Sequence, residues 1–287
     1  MSGGKRIALL LHERDRDHRP RYLVQRLADF WREDGHEVVE LCGAARSEPA
    51  DVAILHVNLS VVPQPYLDLA ARFPVTLNVR ARDIRKSSTS RNLLRPGDEW
   101  QGPVIVKSDL NFGGRPERRL EPRLLDRLAP DGTRRRRAAV AAGLASPIAT
   151  PRDYRVFERL DDVPRRLRRR RDLVVERFLP ECEDGLYHTR MYQFLGDHER
   201  CARIGSPSPI LKAGTAGTTE WVEPHPEARA WRAALGLDYG KIDYVVHEGT
   251  PVLLDANKTT GLATYGDPDE LVAARRHQAE GLYSYFA

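Results

Sequence analysis

Gly240-Lys241-Ile242-Asp243-Tyr244-Val245-Val246-His247-Glu248-Gly249-Thr250-Pro251-Val252-Leu253-Leu254-Asp255-Ala256-Asn257 is the segment on which the reading of this chain turns. Two short apolar runs flank a His-Glu-Gly-Thr turn, the pattern of a β-hairpin. In an antiparallel pair a residue early in one strand faces residues late in the next, so Asp243 is expected beside Asp255 and Asn257. Side chains alternate along a strand, which puts Asp255 and Asn257 on one face. Two carboxylates and an amide oxygen on one face form a hard-oxygen donor set suited to Mg²⁺, an ion that also binds nucleotide phosphates. Both aspartates could instead be solvated strand ends. The apolar flanks fit that less well, because a buried carboxylate needs a cation or donors to offset its desolvation.

Two upstream segments make sense with this hairpin. In Gly102-Pro103-Val104-Ile105-Val106-Lys107-Ser108-Asp109-Leu110-Asn111-Phe112-Gly113-Gly114, a β-branched strand delivers a lysine and a paired-glycine loop follows. Glycines let backbone N–H groups close over phosphate oxygens, and a lysine ammonium neutralises phosphate charge. Taken alone, Gly-Gly after a strand is more often a hairpin turn. In Leu173-Val174-Val175-Glu176-Arg177-Phe178-Leu179-Pro180-Glu181 an apolar strand runs into two acidic residues. Such a strand can offer backbone groups to an adenine edge and a carboxylate to ribose hydroxyls, although by itself it reads as an ordinary strand leaving for solvent.

Outward from these motifs, residues 1–85 alternate strand and helix patterns: an apolar run at Ile7–Leu11, a helical stripe of Leu23, Leu27, Phe30 and Trp31, then strands at 37–41, 52–57 and 75–79 with a helix over 65–72. This predicts a small α/β lobe with a largely parallel sheet. The loop His12–His18 has no glycine, which excludes a Gly-x-Gly-x-x-Gly dinucleotide turn and leaves the lobe as a scaffold or substrate-side wall. Further strands are expected at 173–178, 188–195, 242–247 and 252–256. The domains divide as 1–85, 86–171 and 172–287.

At 287 residues, 41% hydrophobic and 30% charged, the chain is a globular protein that can bury a core without staples. No apolar run reaches membrane-helix length, and Met1–Arg6 lacks a secretion-type stretch. Cys42, Cys182 and Cys201 have no metal-type spacing and read as reduced thiols of a cytoplasmic protein. The net charge of +5 rests on forty arginines against only six lysines, at 5, 86, 107, 212, 241 and 258. Where a lysine is kept, its compact ammonium is the property to look for. Residues 115–171 hold 18 arginines, read either as a solvated face or as an electropositive wall for an acidic substrate. Leu120, Leu124, Leu125 and Leu128 lie there at helical spacing. The four tryptophans, Trp31, Trp100, Trp221 and Trp231, are expected in cores or lobe interfaces, and none of the histidines is assigned to catalysis.

The order of phosphate lysine with glycine loop, Val-Glu-Arg-Phe strand and late Asp…Asp-x-Asn hairpin resembles the ATP-grasp superfamily, in a layout similar to glutathione synthetase, D-alanine–D-alanine ligase and the ligases that add glutamate to ribosomal protein tails. The resemblance covers about residues 85–265 and implies an α+β ATP-grasp fold preceded by a small Rossmann-like α/β lobe. It implies that Lys107 contacts the α- and β-phosphates of ATP and that Asn111, Phe112, Gly113 and Gly114 form a flap over them. Glu176, Arg177 and Phe178 would border the adenine, and Glu181 or Glu183 would reach the ribose. Asp243, Asp255 and Asn257 would hold one or two Mg²⁺ ions, with Mn²⁺ as an alternative. Arg190 would steady the transferred phosphate, making Arg190 and Lys107 the catalytic pair. Lys212 is placed among the ligand-binding residues, beside the loop 213–219. Two positions depart from the pattern: Asp255 stands where the family more often has glutamate, and His188-Thr189-Arg190 stands for an Asp-x-Arg triplet.

The reaction so implied is ATP-dependent joining of a carboxylate to an amine through an acylphosphate, with release of ADP and phosphate. The acceptor would be a small molecule or peptide of acidic character, and a homodimer fits the resemblance. A nucleotide-binding regulator and a small-molecule kinase on the same fold are the alternatives. Nucleic-acid binding, prompted by the basic pI of 9.2, lacks a motif and interleaved aromatics in 115–171.

Overall fold

The computed structural model describes residues 3–17, 21–95, 97–211, 217–262 and 268–286. The described strands form three sheets. β1 (Arg6–Leu11), β2 (Glu37–Cys42), β3 (Val52–His56) and β4 (Thr76–Leu77) make a parallel sheet in the order β2-β1-β3-β4. Its crossover helices are α1 (Leu23–Glu33) and α2 (Gln64–Ala70). Strand β1 is a continuous apolar run because its sheet is covered on both faces. Leu23, Leu27 and Trp31 of α1 are buried against it at helical spacing. Strand β4 is shorter than the expected 75–79. Asn78 turns the chain into the left-handed region at φ 63°. Its amide accepts from the Asp238 and Tyr239 N–H groups and donates to the Tyr239 carbonyl, tying the first sheet to the third.

The middle of the chain runs through α3 (Lys86–Thr89), β5 (Val104–Ser108), α4 (Arg115–Leu120), α5 (Leu124–Leu128), α6 (Arg134–Ala141), β6 (Arg155–Phe157), α7 (Arg165–Arg168) and β7 (Leu173–Arg177). Its antiparallel sheet has the order β6-β5-β7. The leucines at helical spacing do not share one helix. Pro122 falls between α4 and α5, and a proline cannot continue a helix interior, so Leu120 is buried while Leu124 and Leu128 are exposed. Some of the arginine here is matched internally. Arg118 pairs with Asp131, Arg136 with Asp126, and Arg170 with Asp172.

The third sheet combines β8 (Glu181–Glu183), β9 (Leu186–Leu195), β10 (His198–Ser206), β11 (Thr218–Val222), β12 (Tyr239–His247) and β13 (Thr250–Asn257). Its order is β11-β10-β9-β12-β13, with β8 on β9. Helices α8 (Pro226–Leu235) and α9 (Pro268–Glu280) pack on it. The N-terminal core is closed by residues from the far end of the chain. Ala279 and Leu282 are buried with Ile7, Leu27 and Trp31, and the Trp31 indole donates to the Ala279 carbonyl at 2.8 Å. Trp31 and Trp231 are core residues. Trp221 is not: it is 55% exposed, with the Arg200 guanidinium over its ring. No described helix is long and apolar enough to cross a membrane.

Candidate functional site

The hairpin β12–β13 sets Asp243 directly opposite Asp255 and Lys241 opposite Asn257. Opposed residues share a face, so all four side chains lie on one side of the sheet. Asp243 accepts from Lys241 at 2.7 Å through Oδ2. Its Oδ1 is buried with no hydrogen-bond partner. Burial pushes the Asp243 carboxyl above the usual range, against the opposing pull of Lys241. A buried orphan oxygen beside a second carboxylate is the chemistry a divalent cation relieves. Asn257 is less free, because its Oδ1 accepts from the N–H and hydroxyl of Thr259.

Two buried lysines face this hairpin from the middle of the chain. Lys107, on β5, forms a 2.6 Å ion pair with Glu176 of β7, the two side chains being 6% and 3% exposed. The ladder explains the pair: Ile105 is opposite Glu176, so Lys107, two residues on, sits diagonally across the same face. Lys107 Nζ also reaches the Leu254 carbonyl of β13 at 3.4 Å. The second lysine, Lys86, lies in no motif of the sequence. It opens α3 and is 2% exposed at its side chain, 3.1 Å from Asp255. Asp109 at the end of β5 fixes that helix by accepting from the Ser87 N–H and hydroxyl. Burial alone would lower the Lys86 pKa. Asp255 first, then Tyr154 and Glu176, more than offset it and hold the ammonium above its ordinary value. Tyr154 joins the cluster by hydrogen-bonding Lys86, and burial pushes its hydroxyl up to about 12.

The glycine loop, Asn111–Gly114, is a tight left-handed turn feeding α4, so the hairpin-turn alternative does not hold. Phe112, Gly113 and Gly114 all have positive φ. A Cβ on Gly113 would sit 2.5 Å from the Ala149 backbone, which requires glycine there. Arg118 latches the loop down, donating to the carbonyls of Gly113 at 2.8 Å and Ala149 at 2.9 Å. The Asn111 N–H donates to Ser60 Oγ of the first lobe, and Phe112 is 48% exposed at the tip.

Beyond Glu176, Arg177 is exposed with its guanidinium over the Trp100 ring. Phe178 is half-buried and its N–H donates to Pro103. Glu181 accepts from Arg190 at both oxygens, from Arg203 and from the Val246 N–H. Its lone pairs are therefore spent inside the protein. Glu183 is exposed and pairs with Arg203. Burial alone would raise the Glu181 pKa. The Arg190, Val246 and Arg203 donors outweigh it and hold the carboxyl below its usual range. The geometry thus gathers Lys107, Glu176, Asp243, Asp255 and Asn257 with Lys86 and Tyr154, and sets Glu181 and Arg190 in an adjoining ion-pair network. Lys212 and residues 213–216 lie outside the described residues.

No protein-family model matches the chain, and no curated protein matches it in sequence. Among solved structures, the D-alanine–D-alanine ligase of Bacillus anthracis is similar over 99% of this chain and 96% of its own, with TM-score 0.51 and 10% identity. The same enzyme complexed with ATP gives TM-score 0.51 and 11% identity over the same shares. A RimK-domain ATP-grasp protein of Sphaerobacter thermophilus DSM 20745 gives TM-score 0.48 and 14% identity over 98% of each chain. The chain has the α+β ATP-grasp fold, as the motif order implied.

Proposed function

We propose that the protein is an ATP- and Mg²⁺-dependent ligase that joins a carboxylate to an amine, working in the cytoplasm. The observation that carries this reading is the facing of Asp243 and Asp255 on one hairpin by two buried lysines, Lys86 and Lys107, each held by a carboxylate. That is a matched set of cation-seeking and phosphate-seeking groups. Asp243 and Asp255 would hold the metal, with Asn257 joining if its amide turns from Thr259. Bound Mg²⁺ supplies charge neutralisation across the phosphate oxygens.

Lys107 and Lys86 would take phosphate oxygens, and the loop Asn111–Gly114 would cover them. The backbone from Glu176 to Phe178 would border the adenine, with Arg177 at its rim. Glu183, exposed, is better placed than the saturated Glu181 to reach a ribose hydroxyl. The substrate carboxylate attacks the γ-phosphorus and ADP leaves. The amine then attacks the acyl carbon, phosphate leaves with the bonding pair, and an amide remains. Arg190 would steady the phosphate being transferred. Positioning and charge neutralisation carry such a transfer. Kinase or regulatory use of the same pocket would bind ATP without amide formation.

The test is thermal unfolding with Mg²⁺, with ATP and with both, followed by ADP release across paired carboxylate and amine panels. A ligand at about 100 times its Kd adds about 2.7 kcal/mol. A shift that needs both components and disappears in Asp243→Asn supports the site. Absence of any shift overturns the reading, and ADP release on a hydroxyl acceptor without amide formation replaces ligase by kinase.

A further inference from the structure

We infer that His198, His277 and Glu280 form a second, imidazole-based site for a transition-metal dication of the Zn²⁺ class, separate from the oxygen-donor hairpin. One ligand atom from each of the three lies within 4.8 Å of the others. His277 and Glu280 stand three residues apart on α9, a spacing that presents both on one helix face. His198 opens β10, directly opposite Leu195 across the β9–β10 turn.

The backbone beneath this cluster is fixed by an unusually close approach. A Cβ on Gly196 would lie 2.0 Å from the Gly281 carbonyl oxygen, and a Cβ on Gly281 would lie 1.9 Å from that of Leu195. Only glycine at both positions lets the end of α9 press onto the β9–β10 turn. Gln278, Ala279 and Leu282 around it are buried, and the Gln278 amide donates to the Phe194 carbonyl. His277 and Glu280 therefore project from a backbone that cannot drift away from His198.

The protonation of the imidazole follows from its contact. His198 Nδ1 meets the carbonyl oxygen of His277. A carbonyl only accepts, so Nδ1 carries the proton and Nε2 is the nitrogen left for a ligand. A backbone carbonyl on one ring nitrogen, freeing the other, is the arrangement metal-ligating histidines adopt. The two imidazole rings stack at 4.2 Å, which keeps their nitrogens close, and the exposed His277 ring has to swing out of that stack for both in-plane lone pairs to meet one dication. Asp197, 3.8 Å from His198 Nε2 and largely exposed, is at hand as a fourth ligand. The nearby cation Arg276 is drawn to Asp34 and Glu33. It also lies 3.7 Å from Glu280, about as far as its 3.8 Å from Glu33, so its close pair is with Asp34.

Two imidazoles with a carboxylate suit Zn²⁺ and its neighbours and not Mg²⁺, which prefers oxygen. Zinc–ligand bonds of about 2.1 Å need donors no more than about 4.2 Å apart, so a rotamer change of the exposed His277 side chain, with Glu280 following, completes the site. Met191, which pairs with Asp243, is four residues from Leu195 on β9, about 13 Å along the strand. The two sites are therefore distinct.

The experiment is calorimetric Zn²⁺ titration of the full chain with its thiols blocked and excess Mg²⁺ present, on wild type, His198→Ala and His277→Ala. Circular dichroism checks that each variant is folded. One equivalent of Zn²⁺ bound by wild type and lost in both variants is the expected result, with a zinc-dependent rise in Tm in wild type alone. No uptake by wild type, or an equivalent retained by either variant, overturns the site.

Discussion

Lys86 Nζ stands 3.1 Å from Asp255 Oδ1, and this lysine is almost wholly excluded from solvent. The carboxylate suited to a cation is thus neutralised by the ammonium suited to a phosphate. A cation taking Asp255 alone would leave a buried lysine unpaired beside it, and a phosphate taking Lys86 alone would meet a bare carboxylate. Together the two ligands satisfy both groups. Metal and nucleotide should therefore bind with positive coupling, typically about 1–3 kcal/mol and equal in either direction. Mn²⁺ binding followed by electron paramagnetic resonance should tighten several-fold when ATP is added, and Lys86→Met should bind Mn²⁺ alone more tightly than wild type. Equal Mn²⁺ affinity with and without ATP would remove the coupling.

Lys107 makes a buried pair with Glu176 through Oε2, and the Glu176 Oε1 has no hydrogen-bond partner. Lys107→Ala should therefore do two things at once. ATP affinity or turnover should drop by about two orders of magnitude as an electrostatic contact is lost. The fold should also lose about 3–5 kcal/mol, because an uncompensated carboxylate remains in the interior. The double variant Lys107→Met/Glu176→Gln should regain most of that stability in denaturant titrations while still failing to bind ATP. A single variant as stable as wild type would show that the pair is more open than its geometry.

Gly113→Ala adds a methyl where the Ala149 backbone stands 2.5 Å away, at a φ of 69°. The neighbour is main chain, so the loop itself must lift, and the Arg118 latch goes with it. Faster proteolytic cleavage around 110–115 and a raised KM for ATP are the expected outcomes, with Tm falling by a few degrees. An unchanged cleavage rate would mean that the loop tolerates the methyl in place.

Glu181 has a folded pKa below its unfolded value near 4.5. A depressed carboxylate contributes stability that is present above the unfolded pKa and is lost as pH falls through the folded one. The Tm advantage of wild type over Glu181→Gln should be full at neutral pH and shrink below about pH 4.5. An advantage independent of pH would show that shape and not charge holds the Arg190–Arg203 network.

The elements legible in the sequence are those whose cause is local. Strand β1 and the hairpin β12–β13 announce themselves by apolar runs and a turn, and the opposition of Asp243 to Asp255 follows from counting. Strand β10, His198–Ser206, does not. It carries Glu199, Arg200 and Arg203, and the partners that let those charges lie in a sheet, Gln193 and Glu181 among them, are set by tertiary pairing. Lys86 was missed for the same reason: its carboxylate is 169 residues away. A compositional trace was nevertheless available. With only six lysines in the chain, each one is conspicuous, and Lys86 and Lys258 are both almost fully buried. Lys258 donates to the Ala81 carbonyl, and burial draws its pKa down to about 7.

The bond from the Trp31 indole to the Ala279 carbonyl spans 248 positions, and it bears on how the chain is made. The strands of the first lobe are synthesised well before the wall of its core formed by α9 and Leu282. Until α9 has emerged, the face around Trp31 stays open to water and to chaperones. This lobe is therefore sealed only when α9 docks, and removing residues 278–286 should expose its core.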